Sequence, residues 1–585
     1  MGHSLAERIY IALAPWLLLI IESLLVVAAV ALIYHSEQGR SQRRRSQREP
    51  ATRRATQRFL NRESPFSRLA RRKPLAILVV GLGTLAVRIA LIPLWGVPQP
   101  AWHDEFSYLL ASDTFAHGRL TNPTHPMWIH FEGFHIIQQP TYMSMYPPGQ
   151  GLVLALGQLL GHPWIGQLLT TAVMTACLCW MLQAWVPPSW ALLGACLAAV
   201  RLGILSYWMN SYFGTSLPAI GGALLLGALP RLQRRARIGD ALLMGIGLAV
   251  LANTRPFEGF IYSLPIGGAL LVWIFMQKKF SPATVVGRVV LPLTLVLAVS
   301  GAAMTYYFWR VTGHPLVMPY EVNRQTYAVA PYFVWQKPRP EPVYHHAEMR
   351  NFYVDWELRG FQSGKTVLGF LHRQANKVGM LWAFYVGPVF TLPFLAFPWL
   401  FRDHRMRLPL IIAGAVAVGT LIETWTLVHY LAPALGLFFL LLVQCLRHLR
   451  LVRWRGVVAG QALARAVPVI CVAMVVLRVG AVAAGAQIEP GREGNIQRNA
   501  IERELREMPG KQLVIVHYGP THVPHIDWVN NRADIDASKI AWARDMGVGK
   551  NAELLLYFKD RRAWRINADD PTATLETYSG TGGSE

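Results

Sequence analysis

Apolar runs long enough to cross a bilayer recur along almost the whole chain, and they constrain the fold more than any other feature. A bilayer core takes about 20 consecutive apolar residues per helix. Inside it every backbone polar group must be satisfied within the protein, which leaves helices or closed barrels. The runs fall near residues 10–34, 75–96, 163–186, 188–209, 212–231, 239–254, 257–277, 285–310, 378–401, 407–425, 427–447 and 464–486. Charged residues make up 15% of the 585 positions, against roughly 25% in a soluble domain. The sequence therefore predicts an α-helical polytopic membrane protein with about 12 transmembrane helices. The first run contains Ala29-Val30-Ala31, which mimics a signal-peptide cleavage site, but its apolar stretch is too long for one and reads as an anchor.

The net charge of +23 invites a nucleic-acid reading, which the charge distribution argues against. Thirteen of the 56 Lys and Arg lie between Arg40 and Lys73, against two acids, Glu49 and Glu63. Basic residues at the ends of apolar spans mark cytoplasmic loops beside anionic lipid. Arg231–Arg237, Lys278–Lys279, Arg402–Arg407 and Arg447–Arg455 join them. The outer loops 97–149 and 311–376 and the tail from 487 then lie on the opposite, periplasmic side of a bacterial inner membrane. Tyr146–Leu160 is apolar but only about 15 residues long, below spanning length, and reads as a juxtamembrane or re-entrant helix on that side.

Three segments follow: 1–74, an anchor helix with an Arg-rich cytoplasmic stretch; 75–486, the transmembrane domain; and 487–585, a small extracytoplasmic α/β domain. In the last, Leu513–His517 alternates as a strand does. Asp536–Met546 reads as a helix. Leu554–Phe558 and Trp564–Ile566 flank a turn-like Lys559-Asp560-Arg561-Arg562 and read as a hairpin.

Asp104 and Glu105 stand side by side in Trp102-His103-Asp104-Glu105-Phe106, just beyond the second span. Adjacent carboxylates at a membrane surface repel, and one is pushed up in pKa. Such a pair supplies a general base, a metal ligand or both, whereas a bland helix N-terminus would use them only against its dipole. Polar residues also interrupt the outer ends of later spans: Arg201; Asn210 and Tyr212 in Asn210-Ser211-Tyr212; Arg255 and Glu258 in Arg255-Pro256-Phe257-Glu258; Glu423; and His429-Tyr430-Leu431-Ala432-Pro433. Ionisable groups at membrane depth are costly unless paired or functional. Pairing of Arg255 with Glu258 explains some of them, but not why all point to the side of Asp104.

His125, His130 and His135 recur every fifth residue, which does not align ligands on one helical face. The sequence leaves a divalent metal open and requires no other cofactor. All five cysteines fall inside apolar spans and read as small buried hydrophobes. Gly360–Thr366 approximates a phosphate-binding loop, but Arg359 stands where its first glycine belongs.

A base, cations and a lipid-facing groove suit transfer of a sugar from a polyprenyl phosphate. The acceptor hydroxyl loses a proton to a carboxylate, and the departing phosphate needs Arg, His or Tyr donors. From about residue 75 to 450 the chain also resembles the GT-C superfamily of membrane glycosyltransferases, in its protein O-mannosyltransferase and aminoarabinose transferase-like branch. Asp104-Glu105 resembles the acidic dyad of that branch, Tyr146-Pro147-Pro148-Gly149 its His/Tyr-Pro-Pro segment, and His429–Pro433 its late-helix motif. The resemblance implies an inverting transferase in which Asp104 is the base and Glu105 supports it or binds substrate. His103, Tyr146, Arg201, Asn210, Tyr212, Arg255, Glu258, Glu423, His429 and Tyr430 are the expected substrate-binding residues. The implied partners are a polyprenyl-phosphate-sugar donor, membrane lipids, and a glycan, lipid or protein acceptor. The span at 10–34 and the tail depart from the family pattern and leave the acceptor open. The rival readings are a transporter or flippase of lipid-linked sugars, with the acids as transport sites, and a sensor whose tail binds envelope glycan.

Overall fold

The computed structural model describes residues 16–35, 64–453, 459–486, 495–520, 522–570 and 572–579. Most of the Arg-rich stretch between 40 and 73 lies outside them. Among the described residues, eight helices are long and apolar enough to cross a membrane: Trp16–His35, Lys73–Ala90, Pro163–Trp185, Pro256–Met276, Pro282–Thr312, His404–Ile422, Val428–Leu449 and Ala459–Ala483. The chain is thus a mostly helical, multi-pass membrane protein. Of the other four expected spans, Ser216–Arg235 is a continuous 20-residue helix with an arginine-rich end, Ile238–Ala252 is short at 15 residues, and the runs at 188–209 and 378–401 are broken. Pro188–Ala198 runs into a π-turn at Ala199–Gly203, and the chain is irregular from Ile204 until Ser216 opens the next helix. The run at 378–401 is divided among Val367–Leu381, a π-turn at Trp382–Val386 and Gly387–Phe394. Internal prolines and a positive φ of 57° at Gly387 account for that break.

Pro163–Trp185, Ser216–Arg235 and Val428–Leu449 form the middle of the bundle, with Leu178, Leu182, Ala223, Leu226, Phe439 and Leu442 fully buried. Helices such as Pro256–Met276 and Pro282–Thr312 instead leave most of their apolar surface outward, as lipid contact requires. The segment beginning at Pro148 is a 12-residue helix, Pro148–Leu159, shorter than a span, with proline at its first turn.

The 97–149 segment, expected as the first outer loop, starts with the helix His103–Ala116 and then forms a small antiparallel sheet of β1 (Asn122–Pro123), β2 (Ile136–Ile137) and β3 (Thr141–Ser144), in the order β1-β3-β2. The C-terminal segment forms a second sheet of β4 (Lys511–His517), β5 (Ile540–Arg544), β6 (Arg561–Asn567) and β7 (Glu576–Thr577), in the order β5-β4-β6-β7. β4 runs parallel to both β5 and β6, and β7 is antiparallel to β6.

Two expectations for this segment are corrected. Ile540–Arg544 is a strand and not part of a helix; all five of its residues are buried. A strand covered on both faces shows no alternation, so its period is hidden. Leu554–Tyr557 belongs to the helix Val548–Tyr557, so the hairpin is instead a helix-to-strand connection into parallel β6. Leu513–His517 does lie in a strand, and its alternate residues face opposite layers. Val514 and Val516 pack with Trp542, Trp564 and the helix Ile496–Glu507 through Ile501 and Leu505. Leu513 and Ile515 pack with Leu554 and Phe558, and with Leu110, Phe131, Ile136 and Tyr142 of the first outer loop.

The C-terminal sheet and the first outer loop therefore share one hydrophobic core. Buried polar contacts pin the two together. Arg544 donates Nε–H to the Glu132 carbonyl (2.7 Å) and Nη2–H to Asp527 (2.7 Å); Arg544 and Asp527 are both fully buried. The Ala533 N–H donates to Asp113 (2.9 Å). His125 meets Asp536 at 3.1 Å, and His130 lies 3.3 Å from the Arg544 carbonyl. Of the three evenly spaced histidines, two hold the C-terminal domain, and only His135 turns toward the acids.

Candidate active site

Glu105 fixes the start of the His103–Ala116 helix. One oxygen accepts the Ala101 and Trp102 N–H groups (2.9 and 3.2 Å), as a carboxylate in the first helical turn does, and the other accepts the Tyr212 N–H (2.9 Å). Burial pushes its carboxyl up to about 7, against the pull of these donors. Glu105 thus ties the first outer loop to the irregular segment after Gly203. Its neighbour Asp104 is left facing the interior.

Asp104 is enclosed by three side chains. The Tyr146 hydroxyl donates to Oδ1, where His135 Nδ1 also lies at 3.2 Å, and His103 Nδ1 is 3.2 Å from Oδ2. Burial works against the ionised form, but the two imidazoles outweigh it and hold the carboxyl well below the usual range. Burial lowers His135, and burial with the Asp104 charge raises Tyr146. His135 occupies the left-handed region at φ 59°, costly for a residue with a Cβ and a sign that its placement is imposed by the surroundings. His103, Asp104 and His135 bring ligand atoms within 4.8 Å of one another. Two imidazoles and a carboxylate suit a zinc-like divalent ion with a coordination position left open.

Tyr146 leads into Pro147-Pro148-Gly149, and the spacing has a steric reason. The Gly149 N–H donates to the Asn253 carbonyl at 3.0 Å, and a Cβ on Gly149 would stand 2.6 Å from that oxygen. The glycine lets the turn at 253–255 approach the first outer loop and brings Arg255 toward Tyr146. Arg255 lies 3.6 Å from Glu258, an ion contact longer than a hydrogen bond, and stacks over Tyr430 with its Cζ 4.4 Å from the ring centroid.

These residues line one cavity of about 1350 Å³, larger than the roughly 300–1000 Å³ that holds a single small ligand. It runs from the N-terminal helix at Glu22, past Arg201, Arg255, Glu258, Glu423, His429 and Tyr430, to His103, Asp104, Glu105 and Tyr146. Most of the expected site residues thus meet in one space. Two play a different part. Asn210 accepts from Arg88 Nε–H (2.8 Å) and donates to the Ser206 carbonyl (2.9 Å), although it borders the cavity. Tyr212 donates its hydroxyl to the Pro98 carbonyl (2.8 Å), a framework bond and not a substrate contact. Arg201 donates to Glu22 (3.0 Å), a buried pair that joins the N-terminal helix to the bundle. His429 Nδ1 is 3.2 Å from the Tyr207 hydroxyl.

Sequence reasoning set His135 aside with the evenly spaced histidines and missed Glu22 and His525. The last comes from the C-terminal segment, its Nδ1 3.3 Å from His103 Nε2. Burial, with His103 beside it, pushes His525 down to about 4. A lone histidine in the C-terminal tail carries no signal of its own; only the tertiary contact reveals it.

The fold and site define a helical membrane bundle with an acid-centred cavity walled in part by the segments 97–149 and 311–376 and by His525 of the C-terminal segment. No protein-family model and no curated protein matches the chain. Among solved structures it is similar to the apo oligosaccharyltransferase of Archaeoglobus fulgidus at 11% identity and a TM-score of 0.47, covering 86% of this chain and 70% of that one. It is also similar to ArnT from Cupriavidus metallidurans, apo at 12% identity and a TM-score of 0.45, covering 84% of this chain and 93% of that one. For ArnT bound to undecaprenyl phosphate the values are 12%, 0.43, 88% and 98%.

Proposed function

We propose that this chain is an inverting glycosyltransferase that moves a sugar from a polyprenyl-phosphate donor to an acceptor hydroxyl on the periplasmic face of a bacterial inner membrane, within a twelve-span bundle. The observation that carries the reading is the single cavity in which an ionised carboxylate, Asp104, and a cation, Arg255, stand at the boundary of apolar helices. Asp104 takes the proton of the acceptor hydroxyl while the acceptor oxygen bonds to the anomeric carbon. The bond from that carbon to the phosphate oxygen breaks, and its electron pair leaves with polyprenyl phosphate. Arg255 then faces the charge that develops on the leaving group, a contact strengthened by exclusion of water. Tyr146, His103 and His135 hold Asp104 ionised and in place. His103, Asp104 and His135 would hold a divalent ion, which when bound would supply Lewis-acid stabilisation of negative charge.

Reconstitution separates this from lipid transport. Purified protein is placed in vesicles containing a labelled polyprenyl-phosphate sugar. A transferase is expected to release free polyprenyl phosphate in proportion to sugar lost from the lipid, given an acceptor or water. Movement of intact donor between leaflets with no free polyprenyl phosphate would replace the transferase by a flippase.

A further inference from the structure

The outer end of the cavity has a composition that the reaction above does not use. Trp102 and Trp356 line it, and each keeps 45% of its surface exposed. His525 stands between them, its ring centroid 6.1 Å from Trp102 and 4.6 Å from Trp356, at steep angles to both. Trp356 stacks on Trp425 (5.1 Å, 15°), and His525 stacks on His103 (5.5 Å, 28°). Tryptophans at a membrane–water boundary commonly anchor to lipid headgroups. Here the C-terminal domain packs against them, on the cavity side.

His525 is held by His103, 3.3 Å from its Nδ1, and the backbone beside it is anchored by buried polar contacts. Two residues on, Asp527 accepts from Arg544 (2.7 Å) and from the Tyr518 hydroxyl (2.6 Å). Arg544 in turn donates to the Glu132 carbonyl of the first outer loop (2.7 Å). A side chain fixed in this way is pre-organised for a ligand.

We propose that this mouth is the acceptor subsite and that it takes a carbohydrate, with the C-terminal domain supplying one wall through His525. The proposal rests on the transferase reading and names its acceptor class. Sugar rings offer C–H faces to indole and hydroxyls to the polar edges of imidazole, and exposed Trp with a partly exposed His matches both. A peptide acceptor held by strand addition needs an open sheet edge. The edge strand β5 is buried along all five residues, with the Trp542 N–H and carbonyl both taken by the Asn531 side chain (2.8 Å each); both residues of β2 are buried, and the exposed edge strand β7 is only two residues long. The His525–His103 contact also links acceptor binding to the group beside Asp104, so His525 acts as a positioning residue.

The test titrates the purified full-length protein with linear neutral hexose and pentose oligomers, and with a Ser/Thr-rich peptide, by calorimetry and saturation-transfer NMR. At least one oligomer series is expected to bind saturably. Trp356→Ala and His525→Ala are expected to weaken it about tenfold, the weight of one aromatic contact, while Trp356→Phe largely retains it. Trp399→Phe, at an exposed tryptophan outside the cavity, serves as control. Absence of oligomer binding, binding untouched by both alanine variants, or saturable binding of the peptide alone would each overturn the proposal. Donor turnover to free polyprenyl phosphate is read on the same preparations. Turnover without oligomer binding removes the carbohydrate subsite and leaves the transferase. Oligomer binding with the expected variant pattern but no turnover keeps the subsite and removes the transferase.

Discussion

Asp104→Asn is expected to yield a folded, membrane-inserted protein whose sugar transfer is lower by on the order of 100-fold or more, the scale of a lost general base. Asparagine keeps the size and one carbonyl oxygen, so Tyr146 can still donate to it and the packing around the loop survives. What it cannot do is take the acceptor proton, and it no longer carries the charge that the two imidazoles surround. Thermal stability near that of the wild type, with unchanged donor binding, separates loss of chemistry from loss of fold. Wild-type turnover in this variant would remove Asp104 from the reaction.

Arg255→Ala is expected to lower donor affinity by about 10- to 100-fold, the weight of a charge-assisted hydrogen bond to phosphate. The competing explanation is structural: Arg255 neutralises Glu258, 3.6 Å away in a mostly buried setting. Removing one partner of a buried pair leaves the other charge uncompensated and destabilises the protein. The double variant Arg255→Ala/Glu258→Gln distinguishes the two. If Arg255 holds phosphate, the double variant regains thermal stability and not donor affinity. Full recovery of affinity would assign Arg255 to Glu258 alone. The 3.6 Å separation and the stacking on Tyr430 favour the phosphate role, because a guanidinium committed to a carboxylate usually sits at hydrogen-bond distance and forks onto it.

The bundle was legible because lipid exposure leaves long apolar runs that nothing else produces. It was least legible where helices break. The π-turn at Ala199–Gly203 and the irregular stretch from Ile204 to Thr215 read as continuous apolar sequence, yet they bring the Tyr212 N–H to Glu105. In the C-terminal domain Val514 and Val516 gave a visible alternation, whereas Ile540–Arg544 did not, since both its faces are covered. The acids, Tyr146 and Arg255 stood out as polar groups beside apolar spans. Their division of labour did not. Glu105 and Asp104 are neighbours in sequence, and only the backbone donors around Glu105 reveal that it braces the loop while Asp104 faces the cavity. Glu22 and His525 come from segments outside the motif-bearing core, 179 and 422 residues from their partners Arg201 and His103.

Donor binding at Arg255 is tested directly by a cryo-EM structure of the protein in lipid nanodiscs with polyprenyl phosphate added. Phosphate density is expected in the cavity against Arg255, on the side toward Asp104, with the isoprenoid chain leaving between apolar helices into the membrane. Polyprenyl phosphate seated elsewhere on the protein, with Arg255 still turned only to Glu258 and Tyr430, would contradict donor binding at Arg255.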